Sequence, residues 1–490
     1  MRDADKSTGT SRRISPALGL LLAATGPLAC LACGGLGERS DASLAGTGGA
    51  SGAGGEVGPG VDGDLPWGEA PGETQGPDPV LLGAPLTFNP TGSGFALNAV
   101  LAKGNPSSLR AHVRAQGAAT WEGAATFEVR GGDVAQWSFD GLGAGARYDY
   151  EILAAGASGD TSLYSGSTVT QRQPGDSFTF ALISDSHIGA DLSYTNQGKP
   201  ATLKAVSAEA GAVSPDFIVN LGDMLDFHEY GFNDPPPSGS VTRLAYLNYR
   251  TLLGDTLGRA AHYATIGNWE GENGNYTAEE MDWSREQRLL YMPGPTPATY
   301  PQAGSPNQDY YAFTWGDALF IVLNVMSYTP TEHLLSSANA GLPDDWTLGE
   351  AQFDWFADTL AGATSKWRFV LIHHAVGGAA GNDINSAYGR GGGQAAHVGE
   401  QAKVHQLMLD HGAQIFFYGH DHVFTDMQVD GIHYSEPGSA GSIWPFTASE
   451  TGYSQSWPDS GWGQVTVSPA AVNVRFVKMG GGVLYEYTLP

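Results

Sequence analysis

The chain has 490 residues, enough for two or three domains and a large core, and sets 24 Lys plus Arg against 51 Asp plus Glu for a formal net charge of -27. A surface this acidic repels nucleic acid and anionic membranes in bulk, which sets aside nucleic-acid binding, although a bound cation still draws phosphate to its own neighbourhood. Only two cysteines are present, both near the start, so metal ligands in the body must be His, Asp and Asn.

Residues 1–33 read as an export signal. Arg12-Arg13 precede an apolar stretch from about Ala17 to Ala32, and Pro16 and Pro27 leave it shorter than the about 20 apolar residues of a spanning helix. Cys30 and Cys33 each follow Leu-Ala, which resembles a bacterial lipoprotein processing site. The expectation is an exported protein, lipid-anchored to the bacterial cell envelope on its periplasmic or surface side and touching the membrane only through that anchor. An ordinary cleaved signal is the alternative, and Ser11-Arg12-Arg13 hints at twin-arginine export. Residues 34–78 form a linker that from Gly34 to about Gly63 is dominated by Gly, Ala and Ser; that stretch buries no core and reads as a flexible tether.

Over residues 79–173 short alternating runs recur between Gly-rich turns: Phe95 to Val100, Ser108 to Val113, Ala125 to Val129, Ala135 to Phe139 and Tyr148 to Ile152. They predict a small all-β, immunoglobulin- or fibronectin-like sandwich. The stretch Leu142 to Tyr150 resembles the tyrosine corner of such folds. From residue 176 to 490 strands alternate with helical patterns. Strands are expected at Phe178 to Ile183, Phe217 to Leu221, Tyr263 to Ile266, Ala318 to Val325, Trp367 to Ile372 and Gln414 to Tyr418, with helices at Ala201 to Ala212, Glu350 to Leu360 and Gly399 to His411. The fold class is α/β, and the tail from Gly463 to Leu489 returns to β.

Five polar segments punctuate this region: Asp185-Ser-His187, Gly222-Asp223-x-x-Asp226, Gly267-Asn268-Trp269-Glu270, His373-His374 and Gly419-His420-Asp421-His422. All but the fourth end or follow a short apolar run, so they are expected to emerge together at the carboxyl edge of a sheet, where α/β folds place ligand sites. Imidazole, carboxylate and amide oxygen suit hard divalent or trivalent cations. Two of them about 3.5 to 4 Å apart can activate water and neutralise phosphoryl oxygens together.

In this order the segments resemble the motifs of the calcineurin-like metallophosphoesterase superfamily, over roughly residues 178 to 485. The resemblance implies a four-layer αββα sandwich, two metal ions (Fe, Mn or Zn) and phosphoester hydrolysis by a hydroxide held between the metals. It also implies the ligands: Asp185, His187, Asp223 and His422 for the first metal, and Asp223, Asn268, His373 and His420 for the second. Of the adjacent pair, His373 is expected to face the site and His374 to turn away. Imidazole ligands bind metal only when deprotonated, so acid should weaken binding.

Two positions depart from the family. Trp269 stands where most members carry a His or Asp that helps the leaving group depart, and an indole donates no catalytic proton. Either another histidine (His228, His262 or His374) replaces it, or the leaving group needs little protonation, or catalysis has decayed. A β-sandwich ahead of such a domain resembles purple acid phosphatases, but those carry an iron-binding Tyr where this chain has Asp226, and lack a His equivalent to His187. Arg390, in a Gly-rich loop after His374, is a candidate phosphate clamp; Trp269, Tyr388 and Trp444 are candidates for stacking on a substrate ring. The expected substrate is a small-molecule phosphomonoester or phosphodiester. A nucleotide or cyclic-nucleotide phosphodiesterase, and a non-catalytic surface protein that keeps its metals, are the alternatives.

Overall fold

The computed structural model describes residues 79–490 except 123–124, 157–158, 194–197, 227–238, 273–277, 303, 329–346, 377–387, 390–399, 444–452 and 454. The export signal and tether lie outside the described residues, as do His228, Arg390 and Trp444 and the side chain of Tyr388.

Eight strands come first: β1 (Val80–Leu81), β2 (Leu86–Thr91), β3 (Gly94–Lys103), β4 (Leu109–Ala115), β5 (Thr126–Arg130), β6 (Val134–Phe139), β7 (Arg147–Ala154) and β8 (Thr161–Val169). One sheet runs β1-β3-β6-β5 with β2 also on β3, and a second runs β4-β7-β8. Alternation in β4 and β6 turns Leu109, Ala111 and Val113, and Trp137 and Phe139, inward. These residues share one core with Phe95 and Leu97 of β3 and Tyr150 and Ile152 of β7. At the entry to β7, Gly143 N–H donates to the Tyr148 hydroxyl at 2.7 Å, the hydrogen bond of a tyrosine corner. Strand β8 escapes the sequence pattern because its residues from Thr161 to Ser167 are exposed or half-buried, so no apolar alternation marks them.

The rest builds two facing sheets. The first contains β9 (Phe178–Ile183), β10 (Phe217–Asn220) and β11 (Ala261–Ala264), with α1 (Pro200–Ala212) and α2 (Gly239–Leu253) in the connections and α3 (Ala278–Tyr291) following. The second uses β12 (Tyr311–Trp315), β13 (Ala318–Val322), β14 (Trp367–Leu371), β17 (Ile415–Phe417), β18 (Phe424–Val429), β19 (Ile432–Pro437) and β20 (Ser456–Trp457), with α4 (Gly349–Ala361) and α5 (Glu400–Asp410). A separate two-stranded ribbon, β15 (Ala375–Val376) and β16 (Tyr388–Gly389), falls between β14 and β17 in the chain, and β21 (Gly461–Val467), β22 (Val472–Lys478) and β23 (Gly482–Leu489) complete the first sheet. The orders are β11-β10-β9-β21-β22-β23 and β12-β13-β14-β17-β19-β18-β20.

Strands β9, β10 and β11 are parallel, as are β13, β14, β17 and β19. Between the sheets Phe180, Phe217, Phe320, Phe369 and Phe417 form a fully buried aromatic layer, with Phe180 edge-on to Phe320 at 5.1 Å between centroids, a favoured geometry for π-systems. Leu203 and Val206 of α1 and Tyr249 of α2 cover one outer face, and Phe356 of α4 with Val404 and Met408 of α5 cover the other. Helix, sheet, sheet, helix is the four-layer arrangement expected from the resemblance.

β11 begins two residues before its expected start, because polar His262 interrupts the apolar run although Ile218 of β10 pairs with it. Leu86, Phe88, Val100 and Val134 of the β-sandwich join the same buried cluster as Tyr246, Leu257 and Tyr291. Arg250 of α2, fully buried, donates to Asn98 Oδ1 and O at 2.7 Å each and to Tyr291 O at 2.6 Å. The sandwich and the layered region therefore share a core.

Candidate metal centre

Parallel strands deliver their carboxyl ends to one edge. Asp185 follows β9, Asp223 follows β10, Asn268 follows β11, His373 follows β14 and His420 follows β17. Main-chain hydrogen bonds sew the loops together: Asp185 N–H to Gly222 O (3.0 Å), His187 N–H to Asp223 O (2.9 Å) and Gly419 N–H to His373 O (3.0 Å). The loops turn sharply, and Asp185, His187, Asp223, His420 and His422 all have φ between 46 and 82°. Non-glycine residues rarely take this left-handed conformation, and it concentrates at functional sites. Gly222 is required in one such turn: its φ is +97°, and a Cβ would lie 2.6 Å from His373 Nδ1.

Asp185, His187, Asp223 and His422 converge so that their ligand atoms lie within 4.8 Å of one another, all buried. His187 Nε2 is 3.0 Å from His422 Nε2 and 3.4 Å from Asp223 Oδ2; His422 Nε2 is 3.5 Å from Asp185 Oδ1. Beside this group, His373 Nε2 sits 3.2 Å from Asp223 Oδ2 and 3.1 Å from Asn268 Oδ1. His373, His374 and His420 form a second cluster of potential ligands.

The tautomers of two histidines follow from their partners. His373 Nδ1 faces Leu221 O and His422 Nδ1 faces Ser442 O, each at 2.8 Å. A carbonyl only accepts, so both Nδ1 atoms carry hydrogen, and in the neutral ring that a metal requires each Nε2 is a lone-pair donor aimed inward. Nitrogen and carboxylate donors crowded at these distances need a proton or a cation among them, and the donor set of imidazole, carboxylate and amide oxygen fits metal.

Burial raises the Asp185 carboxyl to about 7, an effect His373 opposes and Asp223 reinforces. Burial likewise acts to raise Asp223, but His373 and His187 beside it outweigh this and hold it below its usual range. For His373 burial favours the neutral ring, yet Asp223 above all lifts it to about 9.

One expectation needs correction. His374 does not turn away: its ring stacks on His420 at 4.0 Å between centroids, because the chain leaves β14 at Leu371 and strand alternation no longer applies at His373-His374. Trp269 is buried, 8% exposed, and its ring meets His187 edge-on at 4.9 Å while its main-chain N–H donates to Asp223 Oδ1 at 2.9 Å. His262 is no candidate for proton delivery: it lies inside β11 against the Tyr249 hydroxyl at 3.3 Å, and burial, then Arg250, lowers it to about 3. Asp226 is buried outside both clusters. Sequence reasoning gave no role to Glu270, although its carboxylate is wholly buried among the site's loops; a charged residue directly after Asn268-Trp269 was the available signal.

Three comparisons with known proteins bear on this geometry. No curated protein matches the chain. Among solved structures, purple acid phosphatase PPD1 from yellow lupin seeds superposes with a TM-score of 0.59 at 12% identity, over 83% of this chain and 74% of that one. GAP50, the anchor in the inner membrane complex of Plasmodium, gives a TM-score of 0.41 at 16% identity over 64% of this chain and 88% of that one. The first likeness shows a shared fold, and the second carries no argument. The family model for calcineurin-like phosphoesterases matches residues 178–424, half of the chain and all five motifs, so the chain belongs to the calcineurin-like phosphoesterase family and is a metal-dependent phosphoester hydrolase.

Proposed function

We propose that this enzyme hydrolyses small-molecule phosphomonoesters or phosphodiesters at a two-metal site. Asp185, His187, Asp223 and His422 would hold one ion, and Asp223, Asn268, His373 and His420 the other, with Asp223 shared. The carrying observation is the convergence of both histidine groups on Asp223 Oδ2, 3.4 Å from His187 and 3.2 Å from His373. Bound ions would supply Lewis-acid activation of water and neutralise phosphoryl charge; the same ligands accept iron, manganese or zinc. The protein's part is to fix the donors, exclude solvent and move a proton. His374, stacked on His420, is the described side chain placed to protonate a leaving oxygen now that Trp269 occupies the neighbouring position.

Steady-state hydrolysis of an aryl phosphomonoester and the matching diester, with manganese, zinc or iron, tests this reading beside Asp223→Asn. Turnover of one ester by the wild type alone supports it and fixes the subclass. Absence of turnover by folded, metal-loaded protein would move a non-catalytic binding role to the front.

We also propose that the chain is exported and lipid-anchored at Cys30 or Cys33. The Leu-Ala before each cysteine and the Gly-, Ala- and Ser-rich tether that follows support this. Mass spectrometry of the mature N-terminus would show an acylated cysteine; an unmodified N-terminus elsewhere would refute it.

A further inference from the structure

Glu270 is fully buried, and its carboxylate is taken up entirely by main-chain donors. Oε1 accepts the N–H groups of Met224 (2.5 Å) and Leu225 (3.2 Å). Oε2 accepts those of Asp223 (3.1 Å) and Gly267 (2.6 Å). Residues 223 to 225 follow the end of β10, and a left-handed residue, Asp223 at φ 50°, starts this run of buried N–H groups that point away from the strand ladder. Successive N–H groups in such a turn form a concave anion-binding nest. In this protein the nest is filled by the chain's own carboxylate, arriving from the loop after β11.

The consequence lies at Asp223. The left-handed conformation is strained for a non-glycine residue, so the turn persists only where its surroundings hold it. Its main chain is clamped by Glu270 on one side, while its side chain reaches His187 and His373 on the other. Gly267 has no room for a Cβ, which would collide with Asp223 Oδ1 and lie 2.7 Å from Glu270 Oε2, and its N–H is held by Glu270 Oε2, so the clamp also fixes the start of the Gly267-Asn268 loop. Resting on the two-metal reading above, we infer that Glu270 is a positioning residue: by filling the 223–225 nest it sets the Asp223 and Asn268 donors at the spacing the metals require.

Glu270→Gln keeps the shape but turns an NH₂ group toward two of the four N–H donors, where acceptors are needed. Titrating Mn²⁺ into the full-length wild type and this variant by calorimetry, with folding of the chelator-treated proteins followed by circular dichroism, decides the matter. The expected result is a folded variant whose Mn²⁺ affinity is weaker by about 10- to 100-fold, the usual cost of losing a partner that orients a ligand. At saturating metal, kcat should fall while KM stays within about twofold. A purely structural role would lower Tm and leave the affinity of the folded variant unchanged, and affinity within twofold of wild type overturns the inference. If Glu270→Gln does not fold, Glu270→Asp, which keeps the charge with a shorter reach, is judged by the same criterion. A wild type that binds no metal sinks the two-metal reading itself, a result distinct from an unaffected variant.

Discussion

Asp223 is the residue on which both candidate ligand groups meet, its Oδ2 within 3.4 Å of His187 and 3.2 Å of His373 while Oδ1 accepts the main-chain N–H of Trp269. Asp223→Asn should lower metal affinity by more than the roughly 10- to 100-fold of losing an orienting partner, measured by calorimetry with Mn²⁺. His374→Asn tests proton delivery: aryl esters with acidic leaving groups should lose little rate, whereas alkyl esters should slow by about 10²-fold or more. Equal losses for both would remove His374 from that role. A third residue acts on stability. His262 has its folded pKa lowered to about 3 by burial, then Arg250, against about 6.5 in the unfolded chain. Between these values the unfolded state binds the extra proton, so stability is full above pH 6.5 and drains as pH falls toward 3. His262→Gln should flatten that acid limb by on the order of 2 kcal/mol between pH 6.5 and 5, read from urea unfolding against pH.

At the scale of elements, the loops after the parallel strands set the chemistry and the strands only aim them. Gly222→Ala would strain a turn at φ +97° and press on His373 Nδ1; it should cost about 1–3 kcal/mol in thermal unfolding and weaken metal binding in parallel. These loops were the most legible part of the sequence, because five polar segments in fixed order follow apolar runs and their residue types leave few chemistries open. Other features were hidden for physical reasons. Glu270 acts through main-chain N–H groups, which carry no side-chain signature. His374 points inward because the strand ends before it. The start of β11 is masked by His262, whose polarity is tolerated in the core because the Tyr249 hydroxyl meets it. Strand β8 carries too few buried side chains to show alternation.

At the scale of the molecule, the sandwich is built into the enzyme and does not hang beside it. Phe88, Val100 and Val134 share a core with Tyr246 and Tyr291, Arg243 pairs with Asp133, and the buried Arg250 guanidinium satisfies Asn98 and Tyr291 at once. Arg250→Met would orphan those buried acceptors, each worth about 1–3 kcal/mol, and should lower Tm while the protein still melts in one transition. Two separate transitions in the wild type would refute a shared core. The central claim, a dinuclear centre organised around Asp223, is tested most directly by metal stoichiometry. Elemental analysis of purified protein after reconstitution with excess Mn²⁺ or Zn²⁺ and desalting should give two ions per chain for the wild type and fewer for Asp223→Asn. One ion or none in the folded wild type, or two in the variant, would contradict it.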